Sequence, residues 1–218
     1  MSFKQVLRAI SGAAVLATAG AASAAVITLD FEGIANLAAV GNYYNGGAGT
    51  NYGVSFSAAT LAIIDSDAGG TGNIANEPSG STVMFFLSGN EAILNVAAGF
   101  DTGFSFLYSS AFAASVVVYD GLNGTGNVLR TIDIASQHTQ GCVGDPNGTF
   151  CNWSVAGSQF SGIARSISFG GAADFTVFDN ITFGSAVPGG GGGVPEPTSV
   201  ALVGAALLGV AASRRRKG

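Results

Sequence analysis

The sequence predicts an all-β fold, a β-sandwich of jelly-roll type, and three observations carry that prediction. Aromatic and β-branched residues recur at alternate positions in short runs. Gly, Ser, Thr, Asn and Asp fill the gaps between the runs with turn chemistry. No stretch of the central chain sustains the three-and-four apolar spacing of an amphipathic helix.

The runs are taken in order. Val26 to Glu32 alternates, with Ile27, Leu29 and Phe31 on one face and Thr28, Asp30 and Glu32 on the other. Tyr52, Val54 and Phe56 repeat the pattern, as do Phe104, Phe106 and Tyr108. Val116 to Tyr119 and Val128 to Ile134 flank a turn rich in Asn and Gly and read as a hairpin. Ile163 to Phe169 and Phe175 to Phe183 close the series, for about ten short strands at the spacing of a sandwich.

Two processed ends bracket this domain. Lys4 and Arg8 precede an apolar run from Ala9 to Ala22 and the small-x-small sequence Ala22-Ser23-Ala24, so residues 1–24 read as a cleaved secretory signal peptide. The far end has a Gly-rich linker at 188–193, then Val194-Pro195-Glu196-Pro197, then an apolar stretch from Thr198 to Ser213, then Arg214, Arg215, Arg216 and Lys217. Glycines give a flexible tether, the prolines hold an extended segment, and the basic cluster anchors at the cytoplasmic face. As a single transmembrane helix the apolar stretch spans roughly 24 Å at about 1.5 Å per residue, against a hydrocarbon core of about 30 Å. That length suits a transient hold.

The segment 194–218 resembles the PEP-CTERM sorting signal of Gram-negative bacteria, carried by Val194-Pro195-Glu196-Pro197, the short apolar helix and the terminal basic cluster. The resemblance implies recognition by an exosortase-type membrane transpeptidase, cleavage near the Pro-Glu-Pro motif, passage through the membrane during sorting, and a mature protein at the cell surface or in an extracellular, exopolysaccharide-containing matrix or biofilm. The domain at 25–187 also resembles the β-sandwich cargo of such proteins in Asp30-Phe31-Glu32-Gly33, Val118-Tyr119-Asp120-Gly121 and Phe178-Asp179-Asn180-Ile181. Sandwiches of this kind are shared by carbohydrate-binding modules and adhesive domains, which raises the expectation of ligand binding without naming a ligand.

About 160 residues suffice for one domain with a real core. Within 25–187 two arginines, Arg130 and Arg165, face twelve carboxylates, a net charge of −10 that the whole-chain value of −5 conceals. Such a charge disfavours nucleic acid as a partner and is compatible with cations or neutral sugars.

The chemistry-bearing residues favour binding over catalysis. His138 is the single histidine, so a His-rich zinc site is excluded, and no Gly-x-Ser-x-Gly elbow is present. Cys142 and Cys151 flank the turn sequence Asp145-Pro146-Asn147-Gly148, and in an exported chain they predict a disulfide adding roughly 2.5 to 3 kcal/mol. Asp65-Ser66-Asp67 opens like a calcium loop, but Gly69 and Asn76 stand where ligands are needed.

Asp179 falls in phase with Phe175, Val177, Ile181 and Phe183, the face expected to be buried. A buried carboxylate needs relief, from Arg165, from a β-bulge that turns it outward, or from a cation. Juxtaposed first and last strands would bring Asp30 and Glu32 to it. No motif requires a cofactor, and a structural calcium ion at Glu32 and Asp179, with Asp30, is the expectation. Tyr43, Tyr44, Tyr52 and Trp153 are candidates for sugar stacking, with Tyr43-Tyr44 best placed in a Gly- and Asn-rich loop and Trp153 assigned to packing. The leading reading is a non-enzymatic binding or adhesive protein; a polysaccharide-active enzyme and a purely structural matrix component are the alternatives.

Overall fold

In the computed structural model residues 26–89, 91–139, 148–171 and 173–189 are described, and they belong to a compact unit spanning Ala24–Val194. The expected signal peptide, Cys142, the linker beyond Gly189 and the sorting segment with its expected apolar helix lie outside the described residues.

All regular structure among the described residues is strand: β1 (Ile27–Leu29), β2 (Val54–Phe56), β3 (Thr60–Ile64), β4 (Thr82–Phe86), β5 (Glu91–Phe100), β6 (Gly103–Ser110), β7 (Ala114–Tyr119), β8 (Val128–Ile134), β9 (Ser154–Gln159), β10 (Ala164–Gly170) and β11 (Thr176–Phe183). One sheet has the order β3-β4-β11-β6-β9 with β1 also paired to β11, and the other β2-β5-β10-β7-β8. From β4 onward every connection except the β7–β8 hairpin crosses from one sheet to the other, the double Greek key of a jelly roll. The hairpin expected at 116–134 is present, with Ala114 to Tyr119 antiparallel to Val128 to Ile134.

Alternation on β6 sends Phe104, Phe106 and Tyr108 inward and Ser105 and Leu107 outward, toward opposite faces of its sheet. Phe106 packs at 5.6 Å from Phe178 and 5.9 Å from Phe169, edge to face, at the centre of the space between the sheets. β3, β4, β5 and β9 were not legible as separate runs. β4 is buried throughout, with Thr82, Met84 and Phe86 turned to the main core and Val83 and Phe85 to a second cluster. Ile74, Phe150 and Trp153 from loops cover that outer face, so the period-two contrast is lost.

β11 departs from the expected phase. Phe178 pairs with Tyr108 and Asp179 with Leu107, but the next pairing is Thr182 with Ser105, so two residues, Asn180 and Ile181, oppose Phe106 alone. The bulge passes through Asn180, whose φ is 49°. It exchanges the faces: Phe178 enters the main core and Asp179 shares the outer face with Val177, while Ile181 and Phe183 return inward. Phe175, predicted buried, is 46% exposed. The first and last strands do lie side by side, Leu29 opposite Ile181.

Phe106→Ala removes the ring that joins the two sheets and is expected to cost about 3–5 kcal/mol, read as a lowered urea midpoint at unchanged slope.

Candidate functional site

The site is built where the chain leaves β1. Phe31 sits in the left-handed region at φ 61°, a conformation a bulky side chain adopts only when its surroundings compel it. Its ring is fully buried, edge-on to Tyr44 at 6.1 Å and Phe56 at 6.0 Å, and its N–H donates to the Tyr44 hydroxyl at 2.8 Å. Burial pushes the Tyr44 phenol well above the usual tyrosine range. Asp30 and Glu32 flank this anchored residue.

The loop between Gly41 and Gly53 folds over the same region. Tyr52 N–H and Val54 N–H both donate to the Tyr44 carbonyl, at 2.9 and 3.2 Å. Tyr43 donates its hydroxyl to the Glu32 carbonyl at 2.9 Å and meets Tyr44 edge-on at 4.9 Å. Gly49 is needed here because a Cβ would stand 2.3 Å from the Tyr43 ring. Together these elements enclose a polar cleft of about 320 Å³ whose walls include Thr28, Asp30, Glu32, Tyr43, Thr50 and Tyr52. Tyr52 stacks on Tyr44 at 6.2 Å and 26° and is 38% exposed, whereas Tyr44 is 4% exposed. The expectation for Tyr43-Tyr44 is thus corrected: Tyr44 is a core ring, Tyr43 is half-buried, and the exposed ring is Tyr52. Trp153 packs against the second cluster and donates its indole N–H to the Ala75 carbonyl at 3.0 Å, as its assignment to packing anticipated.

Asp179 is fully buried; of the three reliefs expected, the bulge is present and turns it to the outer face, but that face is covered as well. Arg165 lies on β10 in the other sheet and donates to the Ala97 carbonyl. The Asp179 carboxylate instead accepts the Ser79 N–H at 3.1 Å, the Ser79 hydroxyl at 2.9 Å and the Asn180 N–H at 2.7 Å. The bulge changes the face that Asp179 occupies, and the segment before β4 covers that face too. Glu32 behaves in the same way. Its Oε1 accepts the N–H groups of Ser81 at 2.9 Å and Thr82 at 2.7 Å, with the Thr82 hydroxyl near Oε2. Gly80 makes this possible, since its φ is +51° and a Cβ would stand 2.2 Å from the Glu32 carboxyl carbon.

These contacts bear on calcium at Asp30, Glu32 and Asp179. Calcium takes six to eight oxygens, whereas the Glu32 and Asp179 carboxylates are turned to N–H and O–H donors whose positive ends oppose a cation. Among the described residues no group of three or more His, Cys, Asp or Glu is arranged to hold a metal ion. The donor set does not fit the ion. Cys151 is buried at 4% exposure and no described cysteine is free; its expected partner Cys142 lies outside the described residues. His138 packs its ring 5.2 Å from Phe150.

Residues 193–217 match the PEP-CTERM protein-sorting motif. The chain carries a PEP-CTERM sorting signal. The PEP-CTERM motif implies export and exosortase-mediated processing. No curated protein matches the chain in sequence. Among solved structures, the K2 cleaved adhesin domain of Lys-gingipain is similar over 73% of this chain and 99% of its own, at 13% identity and a TM-score of 0.46. A family 6 carbohydrate-binding module is similar over 74% of this chain and 93% of its own, at 16% identity and a TM-score of 0.39. A glycoside hydrolase family 43 arabinoxylan arabinofuranohydrolase from Bacillus subtilis is similar over 59% of this chain but only 25% of its own, at 16% identity and a TM-score of 0.39. At such scores none of the three bears on the chemistry of the cleft.

Burial pushes the Asp179 carboxyl up to about 7, with the charge of Asp30 adding to the rise and the hydrogen bonds from Ser79 and Asn180 opposing it. The folded chain therefore binds this proton more tightly than the unfolded chain. Its contribution to stability is full below about pH 4 and is lost as the pH rises to about 7. Asp179→Asn is expected to flatten the fall in Tm between about pH 4 and 7, measured by thermal unfolding across that range.

Proposed function

We propose that the domain is a non-enzymatic carbohydrate-binding module, carried outward by its PEP-CTERM tail and acting at the cell surface or in the extracellular matrix. The observation that carries this reading is the cleft itself. An exposed Tyr52 ring offers a flat apolar face to a sugar, while Asp30, Thr28 and Thr50 offer polar groups to its hydroxyls. The ring is fixed from behind by Tyr44, so little order has to be created on binding.

The charge of the domain supports a neutral ligand over an anionic one, with the host's exopolysaccharide as the natural source. The binding reading is favoured over a hydrolase by the state of Glu32. Hydrolysis by the usual route takes two carboxyl groups placed on either side of the bond. With Glu32 Oε1 held by two backbone N–H groups, Asp30 is the carboxylate left to address a sugar in the cleft. The Cys142–Cys151 disulfide belongs to the same proposal. An oxidising exterior permits it, and it would close the long β8–β9 connection.

A glycan array probed with the purified protein is expected to give a neutral polysaccharide as a ligand, and Tyr52→Ala to weaken that binding about tenfold or more. Retention of no glycan, or equal retention by Tyr52→Ala, would remove the cleft from consideration. Release of reducing ends from a bound glycan would point to the enzyme instead.

The sorting route has its own measurement. The intact mass of the protein taken from the envelope and medium of its host is expected to show loss of residues 1–24 and of the segment beyond the Pro-Glu-Pro motif. A chain retaining Arg214 to Lys217 would mean a permanent anchor.

A further inference from the structure

A second recess, of about 290 Å³, opens beside the polar cleft at the edge where β1 of one sheet faces β2 of the other, and Ile27, Val54, Val96, Phe100 and Phe183 form its walls. Val54, Val96 and Phe183 also belong to the main core cluster, so the recess opens directly onto the interior. Val54, Val96 and Phe183 are buried at its back, and the apolar surface open to water is that of Ile27, Phe100, Ala98 and Tyr52. Small residues keep the mouth clear. Ala98 is exposed at the rim, and beside it Gly99 has φ +79° and no room for a Cβ, which would stand 2.3 Å from Ile163.

Tyr52 lines both the recess and the polar cleft. One part of the site is therefore suited to hydroxyl groups and the other, which shares Tyr52 with it, to hydrocarbon. The charges narrow the class further. Asp101 stands at the mouth of the recess and Asp30 and Glu32 line the cleft, an arrangement that repels a free carboxylate or phosphate. A fatty acid or anionic phospholipid is thereby disfavoured, and a neutral chain attached to a sugar is not.

We infer that the ligand of the polar cleft is a saccharide bearing a neutral apolar substituent, alkyl or acyl, which passes the Tyr52 ring and fills the recess beside Val54, Val96 and Phe183. This rests on the carbohydrate-binding reading of the cleft and names the ligand class within it.

The test uses the full chain and paired methyl and hexyl β-glycosides of glucose, galactose, mannose and N-acetylglucosamine, with affinity measured by calorimetry below any micelle-forming concentration. At least one hexyl glycoside is expected to bind about tenfold or more tightly than its methyl partner, because each buried methylene adds apolar area. Ala98→Phe, which fills the mouth of the recess from its exposed rim, is expected to erase that advantage; Ala98→Leu does so in part and serves if the larger ring prevents folding. Tyr52→Ala is expected to weaken both members of the pair. Equal affinities of methyl and hexyl glycosides for the unaltered protein would overturn the inference and leave the carbohydrate reading standing. A hexyl advantage that survives both Ala98 variants would overturn it too, by placing the chain elsewhere. Binding of neither member of any pair would overturn the inference and the carbohydrate reading of the cleft together.

Discussion

Strand β11 is flanked on both sides within its sheet and covered on both of its faces, so every polar group on it has to be satisfied by the protein. Asp179 meets that constraint by accepting the Ser79 N–H and hydroxyl. The consequence reaches well beyond one side chain. Ser79 belongs to the connection between β3 and β4, whose Ile74 helps cover the outer face of the sheet. Two residues further on, the N–H groups of Ser81 and Thr82 hold Glu32. The last strand, the covering connection and the segment after the first strand are thus fixed by one line of carboxylate-to-backbone contacts.

The cleft inherits its shape from that line. With Glu32 held on one side and the Phe31 ring buried on the other, the backbone at Phe31 is driven into the left-handed region. The cost of that strain, about 1–3 kcal/mol, is offset by ring packing and by the bond from Phe31 N–H to the Tyr44 hydroxyl. Tyr44 then supports Tyr52 from below. A surface ring normally moves freely, whereas this one is stacked on a buried neighbour and bounded by a short loop. The flat face offered to a ligand is therefore present before the ligand arrives.

Delivery, and the recognition proposed for the domain, rest on different parts of the chain and on different physics. The tail carries its signal in local chemistry, namely prolines, an apolar stretch and terminal positive charge. The surfaces proposed for binding are assembled from residues as far apart in the chain as Ile27 and Phe183. This separation explains why the two halves of the molecule differ so much in what their sequence discloses.

The sequence by itself determined the class of fold, the sorting signal and the hairpin at 116–134, because each depends on local periodicity, turn chemistry or a contiguous motif. It also assigned Trp153 to packing, whereas the pairing of β1 with β11 was expected only from the general habit of sandwich folds. Tertiary structure alone decided the rest. The face of Asp179 was misread because a bulge at Asn180 inverts the phase, and a one-residue insertion leaves no mark on an alternating pattern already mixed by Phe178 and Asp179. Its partner Ser79 lies one hundred residues away in the chain, a distance over which spacing carries no information. By pattern Tyr52 belongs with the inward Val54 and Phe56 and Tyr44 with an open loop, yet the fold buries Tyr44 and leaves Tyr52, outside β2, exposed. Strand β4 escaped notice for the same reason that it is stable: loops cover its outer face, and a strand buried on both sides has no polar face to alternate with.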